Sequence, residues 1–154
     1  MQESHMIWKS FQHKFTLTWD LYNYEQFFEM MLYRQCKDSI DQLVTVIEMR
    51  HIFGCVFNEK GVLDLKTELA IFKRVQDLIN ISFPLFRIRI IVCGLKVLPS
   101  PLREQSFVTL INQVLEAQDY SDMVVGFDLV CEEDFNPGIS NFLKILYEGK
   151  EKAA

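Results

Sequence analysis

Basic runs are missing from this chain. Nowhere do five Lys or Arg stand together, and 16 basic against 21 acidic side chains leave a formal charge of −5. Nucleic acids and anionic membrane surfaces are recognised through clustered positive charge, so neither is an expected partner. With 6 Gly and 4 Pro the chain is also poor in loop residues, and none of GxGxxG, GxxxxGK[ST] or GxSxG occurs. That removes dinucleotide, P-loop and hydrolase-elbow chemistry. The 3 histidines, His5, His13 and His51, form no HExxH or HxxxH, and Cys36, Cys55, Cys93 and Cys131 form no CxxC. A zinc knuckle is excluded, and four buried or half-buried free thiols in a reducing compartment are expected. No run approaches the ~18 apolar residues of a membrane helix. Residues 1–18 carry His5, Lys9, His13 and Lys14 where an export signal would be apolar, so cytoplasmic residence is expected for the chain as it stands.

What is present is apolar substance: 49 % hydrophobic residues and 13 Phe in 154 positions, enough for a single domain over residues 1–154 with one core. Three β-branched-rich runs, LVTVIEM (43–49), RIRIIVC (87–93) and MVVGFDLV (123–130), read as fully buried strands of a parallel sheet. Leu65, Leu69, Phe72, Val75, Leu78 and Ile79 share a helical face after an Asp64 N-cap. Phe107, Leu110, Ile111, Val114 and Leu115 share another after Ser100-Pro101. Two helical stretches precede the first strand, around Ile7–Phe15 and Tyr24–Met31, and a short helix follows the last. Units of roughly 40 residues fit a (β/α) barrel or a doubly wound sheet, right-handed in either case. The predicted fold is therefore α/β, about three parallel strands with flanking helices.

Strand alternation puts Val125, Phe127 and Leu129 on one face and Val124, Gly126 and Asp128 on the other. The bulky face suits helices. The small, charged face suits a barrel lumen, where Glu48 and Arg50 of the first strand join Asp128 in a self-neutralising set. Glu132, Glu133 and Asp134 read as a solvated loop, and His51 as an exposed loop histidine rather than a strand-end acid/base.

Three stretches, IWKSFQHKF (7–15), LVTVIEMR (43–50) and VVGFDLVCEED (124–134), resemble in order and spacing the growth-factor branch of the adenosine/AMP deaminase family. The similarity runs from about residue 6 to 148, and the third stretch is the most specific. The resemblance implies the central part of a TIM barrel, about strands two to four. In that family a zinc ion activates water to attack purine C6 and expel ammonia. It also implies a nucleoside-pocket wall at Trp8, Lys9, Ser10, Phe11, Gln12, His13, Lys14 and Phe15. Cys131 stands where the family has a Gly whose backbone approaches the purine, and Leu95 where the branch has a polar run. The family's zinc ligands and its catalytic Glu have no counterpart here, so no catalytic residue, no metal ligand and no zinc are expected for this chain alone.

The expected function is accordingly that of a deaminase-like piece, inactive alone, with weak or lost affinity for adenosine. The alternative is a non-catalytic remnant that binds a protein or its own copy. A complete flavodoxin-like binding domain is a third possibility, disfavoured by the missing phosphate loop. Unpaired sheet edges predict a homo-oligomer, or pairing with the remaining barrel half. The resembled branch is commonly secreted.

Overall fold

Three parallel strands organise the protein. The computed structural model describes residues 2–120, 122–131 and 136–153, with side chains over 6–117, 122–131 and 136–152. The predicted acidic loop at Glu132, Glu133 and Asp134 lies outside the described residues. The elements are α1 (Gln2–Asn23), α2 (Glu25–Asp41), β1 (Val46–His51), β2 (Phe57–Asn58), β3 (Gly61–Val62), α3 (Leu65–Asn80), β4 (Arg87–Leu95), α4 (Leu102–Tyr120), β5 (Val124–Val130), a 3-10 turn (Ile139–Phe142) and α5 (Leu143–Ala153).

The sheet order is β1-β4-β5 with both pairings parallel, Val46 opposite Arg87 and His51 opposite Val92 on one side of β4. Both crossover helices pack on the sheet and on each other, so they share one face of it. The core lies there. Ile88, Ile90 and Val92 of β4 meet Leu69, Phe72, Val75 and Ile79 of α3 and Leu110 and Val114 of α4, and α2 adds Leu32 and Cys36. The 3.6-residue period of the helices dictates which side chains arrive. Leu78 is the exception, exposed on the outer side of α3.

The strands are not buried on both faces as their apolar runs predict. Ile47, Met49 and His51 turn toward the core, while Val46, Glu48 and Arg50 stand on the uncovered face. Apolar content alone does not reveal a cover; a strand can carry Val on an open face when nothing in the same chain packs there.

In β5 the expected alternation breaks. Ile90 pairs with Val124, but Ile91 pairs with Gly126, leaving Val125 as an extra residue. The bulge turns the strand over by one position. Val124 is therefore 3 % exposed in the core beside Ile90, whereas Val125 is 47 % exposed. Downstream the predicted sides hold. Phe127 lies beside Ile111, Val114 and Leu115 of α4, Leu129 lies near the Gly94–Leu110 contact, and Gly126 and Asp128 take the other side.

Helix ends are specified locally. The Asp64 carboxylate accepts the Thr67 N–H at 2.8 Å, the predicted N-cap of α3. Helix α2 closes with paired bonds, Leu43 N–H to Ile40 O at 2.8 Å and Val44 N–H to Ser39 O at 3.0 Å. This is the Schellman arrangement, and Leu43, at φ 64°, occupies the left-handed position usually given to Gly. The β2–β3 hairpin is two residues on each side, too short to leave a period in the sequence.

Candidate functional site

Two polar clusters occupy the carboxyl end of the sheet, one on each face. On the uncovered face Arg50 of β1 reaches across β4, and its Nε donates to Asp128 Oδ2 of β5 at 2.9 Å. Cys93, opposite Asp128 in register, lies beneath this bridge. Glu48 shares the face one alternation back along β1. The Asp128 carboxylate raises the Arg50 guanidinium above its ordinary range, chiefly through this hydrogen bond. Burial, then the Asp128 charge, pushes the Cys93 thiol up against a smaller opposing effect of Arg50. The predicted pairing of Arg50 with Asp128 is thus present, but both partners remain partly exposed rather than buried. Coulomb attraction at a wet surface is modest, so the bridge orients Asp128 more than it stabilises the fold.

Beside Asp128 a cleft of about 400 Å³ opens between the edge of β5 and the C-terminal helical segment, lined by Lys96, Phe127, Leu129, Ile139 and Leu146. Lys96 is itself buried. After β5 the backbone of Cys131 adopts φ 126°, a conformation that favours glycine. Cys131 therefore stands in a backbone geometry that suits the Gly expected there from the resemblance.

On the helix-covered face the last residue of β1, His51, shares a hydrogen bond through Nε2 with Glu68 Oε2 of α3, 2.6 Å away. The other oxygen, Oε1, accepts the Gly54 N–H at 2.8 Å. Glu68 is 0 % exposed and His51 9 %. Phe28, Phe53 and Phe72 surround the imidazole with ring centroids 4.9–5.3 Å away. The expectation of an exposed loop histidine is overturned. The strand runs two residues past the predicted end, and its parity sends His51 inward, where an apolar cage leaves it only a carboxylate partner. Glu68 was absent from the predicted site. Its signal, an acid at a core-facing position of an amphipathic helix between Leu65 and Leu69, is legible only once His51 is known to be inside.

This pair ties the β1–α3 loop down, and burial plus the Glu68 charge push the nearby Cys55 thiol up to about 11. Cys36 is likewise pushed up to about 11, by burial alone. All four cysteines are free, two buried and two half-buried, as expected.

The predicted pocket wall lies elsewhere. Trp8, Lys9, Ser10, Phe11, Gln12, His13, Lys14 and Phe15 sit on α1, which packs on α2, and all but half-buried Trp8 are exposed. The rings of Trp8, Phe11 and Phe15 touch in succession, the first pair tilted with centroids 5.4 Å apart and the second edge-to-face at 4.8 Å. Among the described residues no three His, Cys, Asp or Glu side chains stand close enough to share a metal ion, so they do not fit the family's zinc. No described helix is long and apolar enough to cross a membrane. No family model and no curated protein matches the chain.

Proposed function

We propose that the chain is the central part of an adenosine deaminase-like barrel, which offers a purine nucleoside part of a lumen surface and does not deaminate it alone. The observation that carries this reading is the bare sheet face with Arg50 and Asp128 at the carboxyl ends of its strands. Parallel sheets are normally covered on both faces. A doubly wound sheet places helices on both sides, whereas here the strands follow in chain order with both crossover helices on one side, the arrangement of a barrel wall. In barrels the ligand meets the carboxyl ends of the strands. The glycine-like backbone of Cys131 at the same end agrees with the resembled motif.

On this reading Asp128 accepts a hydrogen bond from a purine N–H or ribose hydroxyl, and Arg50 holds that carboxylate in place. Hydrolytic loss of ammonia needs an activated water and a carboxylate beside it. The described residues assemble no such pair, and no step is assigned to them. The test is an amide NMR titration with adenosine, and with uridine as control. Adenosine is expected to shift Ile91, Cys93, Gly126 and Asp128 selectively, and Asp128→Ala to abolish the response. Equal shifts with uridine, or none at millimolar adenosine, overturn nucleoside binding. Stoichiometric zinc with chelator-sensitive turnover of adenosine overturns inactivity.

A second reading, a non-catalytic module that associates with its own kind, is favoured by the aromatic surface of α1, where Phe11, Phe15, Trp19 and Tyr22 are exposed.

A further inference from the structure

Helix α1 is an outlier on this surface. Trp8, Phe11, Phe15, Trp19 and Tyr22 recur at spacings of three and four residues, and at 3.6 residues per turn they fall within an arc of about 80°. The successive ring contacts from Trp8 to Phe15 place the first three in one row. Four of the five are 42–57 % exposed. Lys9, Lys14 and Asp20, the ionic side chains of this stretch, all fall outside the arc at that periodicity. At its C-terminal end Tyr22 meets Phe27 of α2, with ring centroids 6.1 Å apart; the rest of an apolar row on a helix of 22 residues ordinarily has a partner as well.

We infer that this row is a homodimer contact in which α1 packs antiparallel on α1 of a second copy about a two-fold axis at Phe15. The inference rests on the self-association reading above and is independent of nucleoside binding. The sequence is self-complementary in that register. With Phe15 opposite its own copy, Phe11 lies opposite the second copy's Trp19, and Trp8 opposite its Tyr22. All five aromatics therefore meet aromatics, as an isologous interface requires. Pairs of this kind gain from edge and offset ring contacts beyond area alone.

The area sets the strength. Five rings of roughly 200 Å² each, about half of it free, give on the order of 500 Å² per copy and roughly 1,000 Å² per pair. That reaches the lower bound for a specific interface, so the dimer is weak, with a dissociation constant in the micromolar range. A membrane is the poorer occupant, because α1 lacks the basic face that a surface-bound helix uses.

Sedimentation velocity over a concentration series, without nucleoside, tests the contact. The full chain is expected to pass from monomer to dimer. Phe15→Glu, which sets two carboxylates face to face at the axis, is expected to weaken the dimer about a hundredfold or more. Leu17→Glu, on the opposite side of the helix, is expected to leave it within about threefold. Circular dichroism checks that both variants fold; each site is solvent-exposed, so both are expected to. Phe15→Cys is expected to cross-link to itself under mild air oxidation, with the 15–15 bridge found by mass spectrometry. A wild-type monomer at several hundred micromolar overturns the inference. So does a dimer that survives Phe15→Glu, which would place the contact at a sheet edge. Binding of the wild type to phosphatidylcholine vesicles in place of dimerisation would assign the row to lipid instead. Because nucleoside is absent throughout, failure here leaves the adenosine titration untouched, and the reverse holds as well.

Discussion

Replacing Glu68 by Ala removes a carboxylate that is fully buried and holds two partners, His51 at 2.6 Å and the Gly54 N–H at 2.8 Å. His51 is left facing the apolar cage of Phe28, Phe53 and Phe72, while Gly54, in an exposed turn, loses the side chain that anchors its N–H. An unsatisfied buried polar group costs about 1–3 kcal/mol, and a buried pair broken from one side about 3–5 kcal/mol. The expected loss for Glu68→Ala is therefore about 4 kcal/mol, a large share of the roughly 5–15 kcal/mol that holds a domain of this size. Glu68→Gln keeps an acceptor for Gly54 and offers His51 a donor once the ring exchanges tautomer, so it should cost about 1–2 kcal/mol. Urea unfolding followed by circular dichroism reads these values as midpoint shifts, about 2 M for Glu68→Ala at a slope of about 2 kcal/mol/M. The double substitution with His51→Ala should fall short of the summed singles by at least about 1 kcal/mol. Additive losses, or a Glu68→Ala protein within about 0.5 kcal/mol of wild type, would refute the account of the pair as the tie of the β1–α3 loop.

Three further outcomes are expected. The Cys36 and Cys55 thiols, both raised to about 11 from an ordinary 9.0, keep their proton in the folded state where the unfolded chain loses it. The stability they contribute is complete below about pH 9 and is lost as pH climbs through 11; at pH 8 their thiolate fraction is about a hundredfold low, so native alkylation should be slow and unfolded alkylation fast. Leu43→Gly and Cys131→Gly relieve positive backbone angles of 64° and 126° and should each stabilise by up to about 1 kcal/mol, whereas Ala at either site should not; chemical denaturation decides. Gly94→Ala brings a Cβ to 2.6 Å from Leu110 Cδ2 between β4 and α4, and should destabilise by about 1–3 kcal/mol, with Leu110→Ala in the same chain restoring part of the loss.

The elements were legible where the hydrophobic period was long. Strand β4 begins at the predicted Arg87, α3 starts after the predicted Asp64 cap, and Phe107, Leu110, Ile111 and Val114 of α4 are buried as predicted, with Ala117 buried beside them and Leu115 only half-buried. What escaped the sequence was whatever depends on tertiary cover. Val46 and Val125 read as core because β-branched residues carry no mark of which face is packed. His51 read as a loop residue because its partner Glu68 lies in another element, 17 positions away. The Arg50–Asp128 bridge was legible because strand parity alone put both on one side; its exposure was not, since that depends on what lies above the sheet.

The bulge at Val125 separates two requirements that a regular strand would fuse. Val124 anchors β5 in the core in one phase, and Gly126 and Asp128 face outward in the opposite phase, with the extra residue absorbing the mismatch. A length change on the N-terminal side of Val124 leaves the charged end in place so long as Val124 keeps its seat beside Ile90. A single deletion at 125 removes the bulge and leaves both Val124 and Asp128 in place, because the Ile90–Val124 and Ile91–Gly126 pairs then follow one another in regular register. The strand therefore holds one residue in reserve: an exposed valine with few packing duties can be lost without moving the carboxylate, whereas a second deletion between Val124 and Asp128 has nothing left to absorb it and turns Asp128 toward the helices.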